Sequence, residues 1–498
     1  MFDKIRRLGS DTAVYGVSTI IGRLLTFFLT PIYANVLPPS DLGIVATVYA
    51  CIAFLNVVYG FGMESAFFKF ASTNEHGGER ENFSVPLVAV AISSVVLSLI
   101  IVLFAPSFSA LLGVGEYRSA IVWYAAIILL LDALAVIPFA ALRLERKAKQ
   151  FAAIRLTGIV VHVVATLIMI IPLRMGIEGI FLSNILASTV VLVLLLPILI
   201  SRLSWRWNGV LFSKLLDFGL PTVPAGLAAM VVQVIDRPIL LSLTDSATVG
   251  VYQANYRLGI FMMLVVSTFD FAWRPFFLSH AKEDDAKPLF ARVFTYLVLF
   301  MSFIFLVVSF FISDSVQWPV FFGRSLLPQP YWIGLHIVPI ILLGYLFLGM
   351  CHALVAGIYI EKRTRFLPWI AAAGAIINIV ANYVLIPLSS LTGAAFATLL
   401  SYLGMAIIMY AVVQRFYRIE YEFDRLLKIA IAALAVFLLF VFVKVGAFAW
   451  LWKTGLLILF CGTMYAMKFF NPSELARIAS MFKRKTPSSV TDAPINQM

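Results

Sequence analysis

Long apolar stretches separated by short polar ones follow one another along almost the whole chain. A helix that rises 1.5 Å per residue crosses the hydrocarbon core in about 20 residues. The predicted spans are residues 13–36, 41–63, 83–106, 119–142, 151–172, 176–200, 217–243, 250–272, 289–312, 331–357, 366–386, 392–412, 428–447 and 449–470. This pattern predicts an all-α polytopic membrane protein with about 14 transmembrane helices.

Composition indicates lipid as the solvent for most of the chain. Hydrophobic residues make up 62% of the 498 positions and charged residues 12%, whereas soluble domains carry about 25% charged residues. The net charge of +12 comes from short basic clusters between spans, and not from one continuous basic stripe with interleaved aromatic residues, as on a nucleic-acid surface. We therefore expect no nucleic-acid partner. The sequence also shows no cofactor, metal or catalytic motif, so we expect no cofactor, no metal and no enzymatic activity.

The basic clusters also predict orientation. They fall in alternate loops, near residues 143–149, 202–214, 362–365 and 415–428, and again in the C-terminal tail. The positive-inside rule places these loops in the cytoplasm. With an even number of spans, both termini are then cytoplasmic.

The two halves of the chain resemble each other. Residues 30–49 align with residues 237–256 without a gap, and a second match pairs Phe151 with Phe366 and Pro172 with Pro387. Both matches pair spans that are six apart, so the halves keep the same orientation in the membrane. We therefore predict two parallel-related six-helix lobes at 1–212 and 213–414, two further spans within 415–470, and a cytoplasmic tail at 471–498. In the first match, residues 207 positions apart are identical at Pro31/Pro238, Ile32/Ile239, Gly43/Gly250 and Tyr49/Tyr256.

The first span carries a polar stripe on one helical face, because polar residues recur every three or four positions. An unpaired arginine at mid-depth costs at least ~2.5–3.5 kcal/mol, so Arg23 needs water, a partner or an anion. One interpretation is a cavity wall on which Thr19, Arg23 and Thr26 contact an anionic substrate. The other is one structural ion pair, with hydroxyls bonded to their own helix. The stripe consists of Thr12, Tyr15, Thr19, Arg23, Thr26, Thr30 and Tyr33.

The seventh and eighth spans add further charge. Asp236 and Arg237 are adjacent, and Tyr256 and Arg257 follow in the next span. Adjacent side chains on a helix point in different directions, so we expect Asp236 to pair with Arg257 or Arg23. Such a pair leaves an arginine free for phosphate oxygens, which a guanidinium group binds bidentately. The sequence thus predicts Arg23, Arg237, Tyr256 and Arg257 as substrate-binding residues.

Three other titratable residues are candidates for ion coupling or for a counter-ion role. Asp132 is central in the fourth span, His162 lies in the fifth, and Asp236 lies in the seventh. A histidine titrates near neutral pH, although an intramembrane histidine also serves simply in packing. Transport coupled to H⁺ or Na⁺ is one hypothesis for these residues.

Three segments carry a resemblance to a known family. They are GRLLTFFLTPIYANVLPPSDLG at residues 22–43, FAAIRLTG at 151–158, and INIVANYVLIPLSSLTGAAFATLLSY at 377–402. With them, the chain resembles the polysaccharide or O-antigen flippases of the multidrug/oligosaccharidyl-lipid/polysaccharide exporter superfamily over essentially its whole length. The basic and glycine-rich detail usual in lipid II flippases is not evident.

The resemblance implies two six-span lobes around a cationic cavity in the bacterial inner membrane. By alternating access, such a protein carries an undecaprenyl-pyrophosphate-linked oligosaccharide from the inner to the outer leaflet, among membrane lipids. Arg23 and Arg257 match the family's cavity arginines in the first and eighth spans, whereas Asp236 and Arg237 match no family position. The partners implied are a polysaccharide polymerase and glycosyltransferases of O-antigen and lipopolysaccharide synthesis.

Two alternative functions remain open from the sequence. A cation-coupled multidrug exporter of the same superfamily would favour acidic residues in its cavity, whereas the arginines favour an anionic cargo. A membrane glycosyltransferase or polysaccharide polymerase belongs to a different class. It would need a sizeable hydrophilic loop, and the short loops between these spans do not provide one.

Overall fold

A computed structural model describes residues 20–73, 77–114, 119–319, 323–443, 445–446 and 448–470. These ranges are overwhelmingly helical and contain no β-strand. In chain order, helices α1 to α10 are Ile20–Val36, Pro39–Gly60, Met63–Thr73, Glu79–Leu103, Ala105–Leu111, Ala120–Leu144, Ala148–Ile170, Gly176–Arg202, Gly209–Gly219 and Val223–Val234. Helices α11 to α20 are Asp236–Leu243, Ser246–Arg257, Ile260–His280, Ala286–Gln317, Val338–Leu354, Ala356–Ile360, Leu367–Ser389, Leu391–Val413, Phe423–Phe442 and Ala449–Ala466. Short 3₁₀ helices cover Leu220–Thr222, Gln329–Ile337 and Thr364–Phe366.

Within the described ranges, 12 helices are long and apolar enough to cross a membrane. They coincide with the second to the thirteenth predicted spans, which confirms the all-α membrane fold but not the count of 14. Of the first span, the structure describes Ile20–Val36, so Thr12, Tyr15 and Thr19 lie outside the described residues. The last predicted span corresponds to α20, which carries a buried Lys453 and is not among the 12.

The seventh and eighth predicted spans are each interrupted beside a charged residue. α10 ends at Val234 and α11 begins at Asp236, while α12 ends at Arg257 and α13 begins at Ile260. At the second break, a side chain on Gly259 would press against α15, so glycine permits this close approach. Helix ends leave backbone N–H and C=O groups without partners in their own helix. Breaks at membrane depth occur where the backbone is buried in protein or lines a cavity.

Helices α2 and α12 cross at two glycines. A methyl group on Gly43 would overlap the carbonyl oxygen of Ser246, and a methyl group on Gly250 would overlap the carbonyl oxygen of Pro39. The 207-residue shift that relates the two halves of the sequence takes Gly43 to Gly250 and Pro39 to Ser246, so it converts one contact into the other. The contact is therefore reciprocal, as at a two-fold axis. The two backbones touch because neither helix has a side chain at the crossing.

The chain divides into two compact units between Tyr421 and Glu422. The first unit contains α1 to α18, and a buried hydrophobic cluster within it joins α2, α3, α4, α6 and α8 around residues such as Phe181. The second unit contains α19 and α20. Its first turn of helix is stabilised by an ion pair between Lys428 and Asp424, with Nζ and Oδ2 2.7 Å apart.

Candidate functional site

A cavity of about 1220 Å³ lies within the first unit, lined mainly by α1, α2, α6, α7, α8, α10 and α12. Its volume exceeds the ~1,000 Å³ upper range of ordinary small-molecule sites. It can therefore accommodate a polar group larger than a typical small ligand. Four arginines and two carboxylates among its lining residues give a formal excess of positive charge. These charged residues are Arg23, Glu64, Asp132, Arg143, Arg155 and Arg257.

Helix α1 turns the described part of its polar stripe toward this cavity, which we call the large cavity. The stripe residues that line it are Arg23, Thr26, Thr30 and Tyr33. The Arg23 guanidinium donates a hydrogen bond to the Ser267 hydroxyl on α13. The Thr26 hydroxyl lies 2.9 Å from the Gly22 carbonyl and 3.0 Å from the Arg23 carbonyl of its own helix. Thr26 therefore uses its proton locally and can offer a substrate only an acceptor.

Asp236 and Arg237 pair with each other, so the expectation that Asp236 pairs with Arg257 or Arg23 is wrong. Arg237 Nη1 lies 2.7 Å from Asp236 Oδ1, and the Tyr252 hydroxyl donates to Asp236 Oδ2 at 2.6 Å. The side chains of adjacent helical residues project about 100° apart. The arginine side chain is long enough to bend back, so its guanidinium group still reaches the Asp236 carboxylate. Both side chains of the pair are buried, with exposed fractions of 7% for Arg237 and 2% for Asp236.

Other groups complete the environment of Arg237. Its Nε donates to Gln253 Oε1 at 3.1 Å, and its Nη1 donates to the Gln233 carbonyl. The Tyr256 ring lies 4.3 Å from the guanidinium carbon, within cation–π range. Because Asp236 neutralises the charge and two glutamine oxygens accept hydrogen bonds from Nε and Nη1, Arg237 is held in one position.

A second cavity, here called the small cavity, has a volume of about 270 Å³ and adjoins the large one. Ala46, Tyr49, Gln253 and Arg257 line both cavities and so form the border between them. Within the described ranges, Arg257 forms no ion pair with a carboxylate, and neither does Arg23. The small cavity is also lined by Ala50, Val234, Arg237, Tyr256, Ile260, Met263 and Tyr345.

Two of the coupling candidates line the large cavity, away from Asp236. Asp132 Oδ1 accepts a hydrogen bond from Ser188 Oγ at 2.8 Å. His162 Nδ1 is buried and has no hydrogen-bond partner among the residues that the structure describes. The other cavity carboxylate, Glu64, forms an ion pair with Arg143.

Residue Asp245 fixes the start of the helix that carries Arg257. Its carboxylate accepts hydrogen bonds from the Thr248 backbone N–H at 3.0 Å and from the Thr248 hydroxyl at 2.9 Å. These bonds hold the pKa of the Asp245 carboxyl below its ordinary value, since they stabilise the charged form. Asp245 is therefore an N-cap that orders α12 from its first turn.

Two lining residues were not singled out for the site by sequence reasoning. The Tyr49 hydroxyl accepts a hydrogen bond from Asn184 Nδ2 at 3.1 Å across the cavity wall. The sequence repeat does indicate Tyr49, because the equivalent residue 207 positions later is Tyr256, which is predicted to bind substrate. From the sequence, Arg143 counts only as one of the basic loop residues that predict the orientation of the chain in the membrane. No local sequence pattern predicts that it pairs with Glu64.

Comparisons with known proteins give a family and a fold. The sequence profile of a family described as polysaccharide biosynthesis protein matches residues 32–287. No curated protein matches the chain. The structure is similar to the lipid II flippase MurJ in an inward closed conformation, with a TM-score of 0.71, 16% identity, and coverage of 91% of this chain and 99% of that one.

Two multidrug transporters are also similar in fold. An inward-facing MATE family transporter of the MOP superfamily gives a TM-score of 0.59 at 15% identity, covering 80% of this chain and 97% of that chain. The MATE transporter VcmN of Vibrio cholerae gives 0.60 at 16% identity, covering 82% and 96%. At these identities the matches show a shared fold and leave the cargo open.

Proposed function

Because the chain belongs to the polysaccharide biosynthesis protein family, we propose that it moves a polyprenyl-pyrophosphate-linked oligosaccharide across the membrane. The observation that carries the proposal is the large cavity with Arg23 and Arg257 on its wall, neither of them paired with a described carboxylate. Arginines on a cavity wall that lack a counter-ion attract an anionic ligand, and arginine binds phosphate oxygens bidentately.

The cavity addresses the main barrier to such transport. A sugar hydroxyl transferred into hydrocarbon without a partner costs ~2–7 kcal/mol, so an oligosaccharide cannot cross a bare bilayer at a useful rate. A polar cavity solvates the head group, while the prenyl tail stays in lipid, where it has no such cost. Alternating access between two lobes then carries the head group from one leaflet to the other.

We assign the lobes to residues 1–212 and 213–414, followed by the segments 415–470 and 471–498. The reciprocal contact of Gly43 and Gly250 supports a two-fold relation between these halves. With both termini cytoplasmic, the cargo moves from the inner to the outer leaflet of the bacterial inner membrane. Outward movement of an anion then gains ~2.3 kcal/mol per charge per 100 mV. Glycosyltransferases would supply the cargo, and a polymerase would consume it.

The proposal gives the site residues different roles. Arg23 and Arg257 hold the pyrophosphate, and Thr26 contacts it from α1. Thr19, which belongs to the same predicted span, is proposed to contact it as well. Arg237 and Tyr256 contact the cargo from the small cavity. Because Asp236 already neutralises Arg237, this contact is with the glycan and not with the pyrophosphate.

Coupling to H⁺ or Na⁺ is assigned first to Asp132, with His162 beside it on the cavity wall. Asp132 accepts a hydrogen bond from the neutral Ser188 hydroxyl, whereas Asp236 is already bound by Arg237. A cation exporter would use this same carboxylate, so the cargo itself must be tested.

The test uses purified protein in liposomes that contain a lipid-linked oligosaccharide with a radiolabelled glycan. A membrane-impermeant glycosidase digests only the glycans on the outer leaflet, so digestion beyond half of the pool reports flipping. We expect wild type to flip the lipid and Arg23→Ala/Arg257→Ala to lose most of this activity. Arg365→Ala, which changes an exposed arginine in the short 3₁₀ helix Thr364–Phe366, should behave as wild type.

The same liposomes distinguish the rival functions. A protein that leaves the glycan lipid untouched but exports a cationic dye would be a drug exporter. If the double arginine variant, correctly folded, flips the lipid at the wild-type rate, the anion-holding role is lost.

A further inference from the structure

The small cavity lies between equivalent faces of the two halves of the chain. Helix α2 contributes three of its lining residues and α12 contributes three, and each α12 position follows its α2 counterpart by 207 residues. This is the same shift that relates Gly43 to Gly250 at the helix crossing. The equivalent lining pairs are Ala46/Gln253, Tyr49/Tyr256 and Ala50/Arg257.

The two faces differ in what they present. At two of the three positions α2 carries alanine, whereas α12 carries Gln253 and Arg257. The alanines leave the space open, and the longer residues of α12 supply polar groups to it. The small cavity therefore exists because two equivalent helices carry different side chains at equivalent positions. Such a difference allows a substrate-specific site to form between otherwise symmetric helices.

The polar groups that remain unused in the small cavity are few. Gln253 Oε1 accepts from Arg237 at 3.1 Å, but Gln253 Nε2 donates to no residue in the described ranges. The rings of Tyr256 and Tyr345 have centroids 6.0 Å apart at 72° and form an aromatic corner. An amide donor beside tyrosine faces and hydroxyls matches a sugar ring, whose apolar face packs on aromatic rings and whose hydroxyls need partners.

Size and position restrict the ligand further. A volume of about 270 Å³ falls just below the ~300 Å³ at which sites for drug-sized ligands begin, so the small cavity suits one ring rather than a chain of sugars. Arg257 lines both cavities. A phosphate held by Arg257 would therefore place the sugar attached to it at the border formed by Gln253 and Tyr49.

We propose that the small cavity binds the first sugar of the lipid-linked glycan, the ring joined directly to the pyrophosphate, and that Gln253 is a specificity-determining residue. This inference rests on the proposed function. It adds that the protein distinguishes cargoes by the sugar nearest the phosphate, while the rest of the oligosaccharide occupies the large cavity.

The test measures binding of two lipids to the full chain in detergent by native mass spectrometry. One lipid is polyprenyl pyrophosphate alone, and the other carries a single sugar on the pyrophosphate. Ala50→Leu fills the small cavity without removing a polar group, and Gln253→Ala gives α12 the residue that α2 carries at the equivalent position. Gln233→Ala is the matched control, because that side chain lines neither cavity.

For wild type and Gln233→Ala, we expect the sugar-bearing lipid to bind roughly tenfold more tightly than the bare lipid, as added hydrogen bonds allow. Ala50→Leu and Gln253→Ala should lose that preference and keep their affinity for the bare lipid. Equal weakening of both lipids in both variants, or a preference that survives Ala50→Leu, would overturn the assignment of the sugar site. If wild type binds neither lipid, the proposed function itself fails.

Discussion

Two arginines that both line the small cavity, Arg237 and Arg257, have very different surroundings. Arg237 is buried against Asp236 and also bonds Gln253 and the Gln233 backbone. Arg257 has no carboxylate partner among the described residues, although it lies on the wall of both cavities. Both residues are arginines, and they differ in whether a described carboxylate neutralises the guanidinium charge.

This difference separates a structural charge from one that is available to a ligand. An arginine within a predicted membrane span is costly without a counter-ion, so another group must offset the charge of Arg257. Under the proposed function an anionic substrate offsets the charge of Arg257 during transport, whereas Asp236 offsets the charge of Arg237 permanently. Arg23, which bonds a neutral hydroxyl on Ser267, resembles Arg257 in this respect.

Breaking the buried ion pair between Asp236 and Arg237 should give the largest effect on stability. Asp236→Ala leaves a buried arginine charge without its counter-ion, and we expect a loss of ~3–5 kcal/mol in the free energy of unfolding. Unfolding of the purified protein in detergent measures it. The double variant Asp236→Ala/Arg237→Ala should recover part of the loss, and a single variant as stable as wild type would refute the pairing argument.

The uncompensated arginine should show the opposite behaviour. Arg257→Ala should leave the unfolding midpoint close to that of wild type, because Arg257 has no ion pair with any residue that the structure describes. Surface polysaccharide in cells that depend on this protein should fall at least about tenfold, since a charge-assisted hydrogen bond contributes ~1.5–3 kcal/mol. Cell-surface labelling of the polysaccharide measures this effect, with membrane insertion checked by immunoblotting. Normal polysaccharide from a correctly inserted variant would contradict it.

At the crossing of α2 and α12, substitutions of the two equivalent glycines should reduce stability equally. Gly43→Ala and Gly250→Ala place a methyl group against equivalent backbone carbonyls, so each should cost about 1–3 kcal/mol of stability. Thermal unfolding of the two variants should give similar shifts. Gly455→Ala is the control, because a methyl group there meets no atom within 4 Å. A large shift for only one of the pair would argue against a reciprocal contact.

The smallest expected effect comes from the cap that orders α12 ahead of Arg257. Asp245→Ala removes an N-cap and should cost about 1 kcal/mol at neutral pH. Because the folded state lowers the pKa of this carboxyl, the stabilisation is present above the unfolded value of ~3.9 and is lost as pH falls through the folded value. Denaturation of both proteins at several pH values should show the gap closing in acid. A constant gap would exclude the carboxylate as its source.

Local patterns were sufficient for most of the fold. Each span needs only a long apolar stretch, so hydropathy placed 12 of them where helices occur. The periodicity of the first span put Arg23 and Thr26 on one face, and that face lines the large cavity. The breaks beside Asp236 and Arg257 were not foreseen, because the second depends on how closely Gly259 packs against α15.

The local sequence pattern cannot predict which groups bind a buried charged side chain. The position of the Arg237 head group is set by Asp236, by Gln253 on α12 and by the Gln233 carbonyl on α10, and no single helix contains all of these groups. The small cavity likewise depends on two alanines of α2 facing longer residues of α12. The sequence repeat contained that relation, but only the packing of the two helices makes it a cavity.

The most direct test of the contrast between the two arginines is calorimetric titration of the purified protein with a short-chain prenyl pyrophosphate. We expect Arg257→Ala to weaken binding at least about tenfold. The paired variant Asp236→Asn/Arg237→Gln removes an equal number of arginines and should bind within roughly twofold of wild type. Strong binding by Arg257→Ala, together with loss of binding in the paired variant, would contradict the assignment of the anion to the uncompensated arginine.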